Sequence, residues 1–394
     1  MYGYLCHTFP RPISAASHYK YSLTDNIAMQ ITDFELFAVP PRWLLLKLET
    51  DEGIVGWGEP IVQGRLETVR AAVTELIEAY LLGADPLRTE YHWRKLYQSG
   101  YFRGGPILMS ALAGIDHALW DLAGRHADLP VYRLLGGDRD RIPCYASTMC
   151  GDDDPDGLGT PEAYADFAED LVEEGYPAIK LHGWMPPYDE GPERVIAACR
   201  AVRERVGPDV ELMLDSHHFY TRNEARRIGE ALADLDYLWF EEPMNEQSTA
   251  AYEWLTDQVS VPVVGPECLR GNMQTRAEWI RNGAMDICRT SCSNGGGITG
   301  AMKTVHLCEA FEMTCEAHGG GAPNLHVMGA MSIPGRYCER GLLHPKHDYD
   351  WTPPHLESAT DELEDDGTVT VPQEPGLGID WDWDYIETNR VDAA

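Results

Sequence analysis

Four stretches, Ala178-Ile-Lys-Leu-His182, Leu212-Met-Leu-Asp215-Ser-His217-His218, Leu238-Trp-Phe-Glu241-Glu242-Pro243 and Val261-Pro-Val-Val-Gly-Pro-Glu267, repeat one pattern: a short apolar run that ends on an ionisable side chain. A core strand gains nothing by ending on a carboxylate. The mouth of a parallel barrel is lined with such groups, because active sites there are built at the carboxyl ends of the strands.

Working outward, short apolar strands alternate with loops and amphipathic helical runs from residue 142 onward. The strands fall at 143–147, 178–182, 210–215, 237–242, 261–267, 285–289, 313–318 and 335–339, with helical spacing over 161–174, 191–206, 222–232 and 297–310. Alternating βα units imply a parallel sheet, and eight of them close into a barrel. Upstream, 30–39, 42–49 and 54–57 read as a small antiparallel meander turning at Asp51-Glu52-Gly53, with helical spacing over 66–82 and 107–127. The fold class is therefore α/β, a (β/α)8-type barrel of the modified TIM kind with an N-terminal α+β capping domain. The expected divisions are an irregular extension over 1–28, the capping domain over 29–140, the barrel over 141–345, and a C-terminal segment, 346–394, returning to the capping domain.

The chain of 394 residues carries 64 acidic and 31 basic side chains, for a net charge of -33, and contains only six lysines. Such a surface repels nucleic acid and anionic membrane. It suits a halophilic, salt-rich cytoplasm, where self-repulsion is screened over only ~3 Å near 1 M salt. No apolar run approaches the ~20 residues that span a bilayer, and the N-terminus lacks the apolar core of a signal peptide, so a cytoplasmic protein is expected. The ten cysteines are scattered and read as reduced and buried, with no zinc-type pairing.

Asp215, Glu241 and Glu267 end the third, fourth and fifth strands, 26 residues apart each time. Three carboxylates from neighbouring strands repel one another unless a cation joins them, and hard oxygen donors with room for water suit Mg²⁺. The alternative is that each acid pairs with an arginine.

With these residues in view, the chain resembles the enolase superfamily, in its mandelate racemase-like branch, and within it the acid-sugar dehydratases, the galactonate dehydratases in particular. Pro40-Pro-Arg42-Trp43, Gly56-Trp-Gly-Glu-Pro60, Arg103-Gly-Gly-Pro106 and Ile115-Asp-His-Ala-Leu-Trp-Asp121 resemble that group's capping domain, and the likeness runs to Pro375-Gly-Leu-Gly378. It implies Mg²⁺ on Asp215, Glu241 and Glu267, with Glu242 behind them. His318, in Glu316-Ala-His318-Gly-Gly, corresponds to the base that takes the C2 proton. His217, expected on the strand face of Asp215 by the two-residue alternation, corresponds to the acid that releases the 3-hydroxyl, and His218 points the other way. Lys180 would pair with the substrate carboxylate, while His182, Glu339 and Arg42 would contact substrate. Capped barrels of this kind commonly form homo-oligomers.

Two departures stand out. The second-strand Lys-x-Lys of the family is Lys180-Leu-His182 here. On the sixth strand, alignment of Gly295-Gly-Gly-Ile-Thr299 puts Ser291 where an aspartate orients the seventh-strand histidine, leaving Asp286 as the nearest acid. The implied activity is dehydration of an aldonate such as xylonate, gluconate or galactonate to a 2-keto-3-deoxy acid. The rivals are an α-hydroxy-acid racemase or epimerase, disfavoured by the missing lysine base, and a silent metal-binding barrel.

Overall fold

The computed structural model describes residues 29–60, 64–137, 139–269, 273–333, 335–346 and 353–391. The expectations for 1–28 and for part of the 60–65 loop lie outside them. Strands β1 (Ile31–Val39), β2 (Trp43–Thr50) and β3 (Val55–Gly58) form the antiparallel meander, in the order β1-β2-β3. Its two faces bury different partners, because successive side chains alternate. Leu44, Leu46 and Leu48 pack on Val69, Val73 and Ile77 of α1 (Leu66–Tyr80) and on α3 (Pro106–Ala127). Leu45, Phe37 and Trp57 meet Trp381 and Ile386, the latter on α12 (Trp383–Asn389), so the end of the chain covers the second face. A Cβ at Gly58 would run into the Gly114 carbonyl, which explains glycine where β3 lies on α3. Two helices absent from the sequence reading, α2 (Thr89–Tyr97) and α4 (Val131–Leu134), complete this region.

All eight expected barrel strands are present. They are β4 (Arg141–Thr148), β5 (Ala178–His182), β6 (Glu211–Asp215), β7 (Trp239–Glu241), β8 (Val263–Gly265), β9 (Ile287–Thr290), β10 (Cys315–Ala317) and β11 (Cys338–Leu343). Each pairs in parallel with its neighbour, and β11 pairs with β4. Among the described residues no ladder joins β10 to β11. Instead the Arg336 N–H donates to Glu316 Oε1 at 2.7 Å and the Tyr337 N–H to its Oε2 at 3.5 Å. The eighth strand accordingly begins at Cys338 rather than at 335 and runs past Glu339 to Leu343. Strand β12 (Thr368–Thr370) adds antiparallel to the start of β4.

The outer helices include α5 (Pro161–Glu173), α6 (Pro192–Val206), α7 (Arg222–Asp234) and α10 (Gly297–Ala310), close to their expected spans. Start signals in the sequence account for two of them: Thr160 accepts from the Ala163 N–H, and Thr221 with Glu224 forms a capping box at α7. The shorter α8 (Thr249–Thr256), α9 (Met273–Arg281) and α11 (Ala322–Gly329) fill further positions of the βα alternation. None of the described helices is long and apolar enough to cross a membrane.

Inside the barrel, Tyr145, Ala178, Met213, Trp239 and Val264 form one apolar layer. Two residues further along the same strands, side chains face inward again. These are Ser147, Lys180, Asp215 and Glu241, joined by Arg289 and Glu339, which stand two positions after Ile287 and Tyr337 at the edge of the apolar layer, so a charged layer caps the apolar one.

Candidate active site

Two cations organise the charged layer. Lys180, 1% exposed, lies 2.8 Å from Glu339 Oε1, 3.1 Å from Glu241 Oε2 and 3.4 Å from Asp215 Oδ2. Arg289 is fully buried, with Nε 2.8 Å from Glu241 Oε1 and 3.7 Å from Glu267 Oε2, and a terminal nitrogen 2.8 Å from Glu339 Oε2. Burial opposes ionisation of Lys180, but Glu241 and Glu339 outweigh it and hold its pKa well above the ordinary value. Burial likewise opposes ionisation of Asp215 and Glu339. The charges of His182 and Lys180 on the first, and of Lys180 and Arg289 on the second, hold both well below the usual carboxylate range. For Glu241 burial prevails over Arg289 and Lys180, and its pKa is raised.

The histidines flank this layer at its two ends. On the β5–β6 side, the His182 Nδ1–H donates to the Thr148 carbonyl at 2.6 Å and Nε2 lies 3.2 Å from Asp215 Oδ2. The His217 ring stacks on His182, with centroids 4.6 Å apart, and its Nε2 is 3.2 Å from Cys150 Sγ. On the opposite side, His318 Nδ1 lies 2.7 Å from Glu267 Oε2 and 3.6 Å from Glu339 Oε2. Burial works against a charged His318, yet Glu267 and Glu339 raise its pKa.

His217 reaches the site by a route other than the expected alternation. Strand β6 ends at Asp215, and His217 and His218 both take left-handed backbone conformations, with φ of 47° and 58°. The His217 N–H donates to Asp215 Oδ1 at 3.0 Å, so the turn wraps the carboxylate. Burial drives the His217 pKa down to about 4 against the pull of Asp215, which favours the neutral ring.

The three strand-end acids do not lie in one tight group. Among the described residues, His182, Asp215 and His217 hold their ligating atoms within 4.8 Å of one another, and so do His218, Glu242 and Cys268; Asp215, Glu241 and Glu267 form no such group. Each is drawn instead to its nearest cation. The donor set still fits a divalent ion. Four acids, Asp215, Glu241, Glu267 and Glu339, face only two permanent cations, Lys180 and Arg289, each already shared among several of them. An unbalanced buried carboxylate is costly, and a hard dication restores the balance.

The model of the mandelate racemase / muconate lactonizing enzyme N-terminal domain matches residues 40–136, and that of the enolase C-terminal domain-like family matches residues 163–385. The chain belongs to the mandelate racemase/muconate lactonizing enzyme family of the enolase superfamily. It is 39% identical to a D-galactonate dehydratase of Pectobacterium atrosepticum over 74% of this chain and 75% of that one. To a D-galactonate dehydratase of Ralstonia nicotianae it is 35% identical, over 90% and 92%. A crystal structure of D-glucarate dehydratase from Agrobacterium tumefaciens complexed with magnesium superposes with a TM-score of 0.86 at 43% identity, covering 92% of this chain and 99% of that one.

Within this family fold the remaining expected residues fall as follows. Ser291 is buried, and its Oγ accepts from the Ser293 N–H at 3.2 Å. Asp286 accepts from the Val263 N–H at 2.8 Å, at the start of β9, so Glu267 and not Asp286 is the carboxylate on His318. Glu242, also left-handed with φ of 46°, has its pKa raised by burial and by Glu267, and sits 3.2 Å from His218 Nδ1. His218 therefore packs beside the acids rather than pointing away. Arg42 stays in the exposed turn between β1 and β2, outside the buried network, its charge felt by Glu59 and His355.

Three residues escaped sequence reasoning. Arg289 is one; the alternation along β9 puts it inward, two positions before Ser291. Cys150 lies in the loop after β4, where no pattern marks it. Glu246 accepts from the Glu267 N–H at 2.7 Å and the Leu269 N–H at 2.9 Å, fixing the segment that carries Glu267. The cysteines are not uniformly buried either, since Cys268 is exposed and Cys150 half-buried.

Proposed function

We propose that this family member is a Mg²⁺-dependent sugar-acid dehydratase, a carbon–oxygen lyase that converts an aldonate such as xylonate, gluconate or galactonate to its 2-keto-3-deoxy acid. The observation that carries the reading is the placement of two histidines at opposite ends of one row of acids, His217 beside Asp215 and His318 beside Glu267. Removal of a C2 proton and loss of a 3-hydroxyl need two such groups acting on neighbouring carbons. The dehydratase names of the relatives support the same class.

In this reading Asp215, Glu241 and Glu267 hold Mg²⁺, which when bound polarises the substrate carboxylate and stabilises the charge that develops on it. Lys180, in contact with Asp215, Glu241 and Glu339, would add fixed positive charge where the enediolate forms. His318 accepts the C2 proton. His217 gives a proton to the departing 3-hydroxyl, which leaves as water, and the enol tautomerises to the ketone. The ring takes that proton from solvent, and the negative charge that develops on the reacting substrate favours its holding it. His182 holds the His217 ring by stacking and faces the substrate. Glu339, tied to Lys180, Arg289 and the Gly319 N–H, positions those groups as much as it meets substrate. Arg42 contacts substrate only from the capping turn.

A cytoplasmic location, a homo-oligomeric assembly and a lack of nucleic-acid or membrane partners belong to the same reading. Incubation with Mg²⁺, salt and a panel of aldonates and aldarates tests it. A 2-keto-3-deoxy product is expected. Exchange of an α-proton with deuterium without such product would replace it with an epimerase, and neither outcome would leave only a metal-binding barrel.

A further inference from the structure

Cys288, Cys308 and Cys315 lie on the side of the barrel wall away from the charged layer. Cys288 on β9 and Cys315 on β10 are register partners in a parallel pair, so both side chains leave the same outer face, and Cys308 of α10 comes down on them. The three sulfurs lie within 4.8 Å of one another, each residue is at most 1% exposed, and none forms a disulfide. Packing explains each small side chain singly. It gives no reason for three thiols to converge on one point.

We infer that these three sulfurs form a second metal site, closed to water, that takes a soft, thiophilic d10 cation. The donor set decides the class, because thiolates select soft ions while Mg²⁺ and Ca²⁺ require oxygen. A trigonal S₃ site with metal–sulfur bonds of ~2.3 Å, the zinc–thiolate length, needs sulfurs about 4 Å apart, which the observed spread accommodates. Charge supports it too. Three thiolates and a divalent ion leave one negative charge, and the buried guanidinium of Arg276 supplies the opposite one. Arg276 is 3% exposed and held by the Leu269 and Pro266 carbonyls at 2.8 and 2.9 Å. Hydrogen bonds from the Cys308 and Cys315 thiols, with Arg276 adding to them, hold the Cys288 pKa well below its ordinary value, while the same contacts push Cys308 and Cys315 up, so that binding of the cation releases their protons.

The test uses Cd²⁺ as the probe on the full-length, Mg²⁺-loaded protein under reducing conditions, followed by sulfur-to-metal charge-transfer absorption and native mass spectrometry. One Cd²⁺ per chain with a charge-transfer band is expected. In Cys308→Ala, and independently in Cys315→Ala, the band should fall and the affinity weaken by at least the ~100-fold that even an outer-shell change can cost a metal site. Circular dichroism confirms that each variant is folded. Cys268→Ala, which removes the thiol of the His218–Glu242–Cys268 group at the mouth, should leave the band unchanged. No band in the parent protein, a band that survives both core substitutions, or one lost in Cys268→Ala would each overturn the assignment.

Discussion

His318 Nδ1 and Glu267 Oε2 lie 2.7 Å apart, so a carboxylate from the end of the fifth barrel strand fixes the ring that follows the seventh. The sixth strand offers only Ser291 at the place where an orienting acid was expected. Glu267 thereby joins the group proposed to abstract the proton to the group proposed to hold the metal. His318→Asn should abolish both 2-keto-3-deoxy product and deuterium exchange at C2, while Mg²⁺ affinity, measured by calorimetry, stays within a few-fold. Retained exchange would remove His318 from its role.

The opposite end of the row behaves differently. His217→Asn should stop dehydration but leave C2 exchange measurable, since proton removal lies with His318. Cys150, at 3.2 Å from His217 Nε2, positions that ring. Loss of one contact of about 1 kcal/mol corresponds to roughly five-fold in rate. Cys150→Ala should therefore lower kcat by about that factor with KM little changed, and Cys150→Ser should restore part of it.

Lys180 touches three carboxylates while almost wholly buried. Its replacement by Met leaves unpaired buried charge, a loss on the order of 3–5 kcal/mol. Thermal unfolding of Lys180→Met should show a large drop in Tm without metal and a smaller one in saturating Mg²⁺, because the dication takes over part of the neutralisation.

Away from the site, burial raises the Asp116 pKa to about 7 from an ordinary 3.8, although the carboxylate accepts from the Thr299 N–H and hydroxyl at 2.8 and 2.7 Å. The folded state then binds the proton more tightly than the unfolded chain. Stability from this group is fully present below about pH 4 and is lost as pH rises from about 4 through 7. Asp116→Asn should flatten the decline in Tm across that window relative to the parent; equal slopes would refute the assignment.

The charge of -33 is spread over a surface with few lysines. If it reflects a salty medium, Tm should climb as KCl is raised from about 0.1 to 2 M, beyond the point where the Debye length of ~10 Å has fallen to a few ångströms. A flat or falling curve would discard the halophilic reading.

The barrel was legible because its strands are buried runs; strand position picked out Asp215, Glu241 and Glu267, and the resemblance to the family pointed to Lys180 and His318. What was less legible depends on the third dimension. Strands β7 and β8 are only three residues long, so Glu242 and Glu267 lie beyond them, in turns whose backbone no period-two rule describes. His217 reached its expected neighbours for the wrong reason, a left-handed turn rather than alternation. Arg289 was overlooked because an arginine inside a strand looks like an ending, until four acids are seen to converge on two cations. Cys150 and Cys308 meet their partners across sequence separations that no spacing reveals.

Glu316 closes the barrel by accepting the Arg336 and Tyr337 N–H groups where a backbone ladder would otherwise run. A ladder fixes two strands about 4.8 Å apart at every residue. A single side chain, with its own torsions, sets no such rigid spacing. Glu316 is thus the lower fastening of an open clasp, directly below the loop that carries His318, and Glu339, which accepts from the Gly319 N–H at 2.8 Å, is the upper one. Changes in the width of the mouth can be taken up at this one joint while every other strand keeps its neighbours, and amide exchange at 336 and 337 is where such motion would first be recorded.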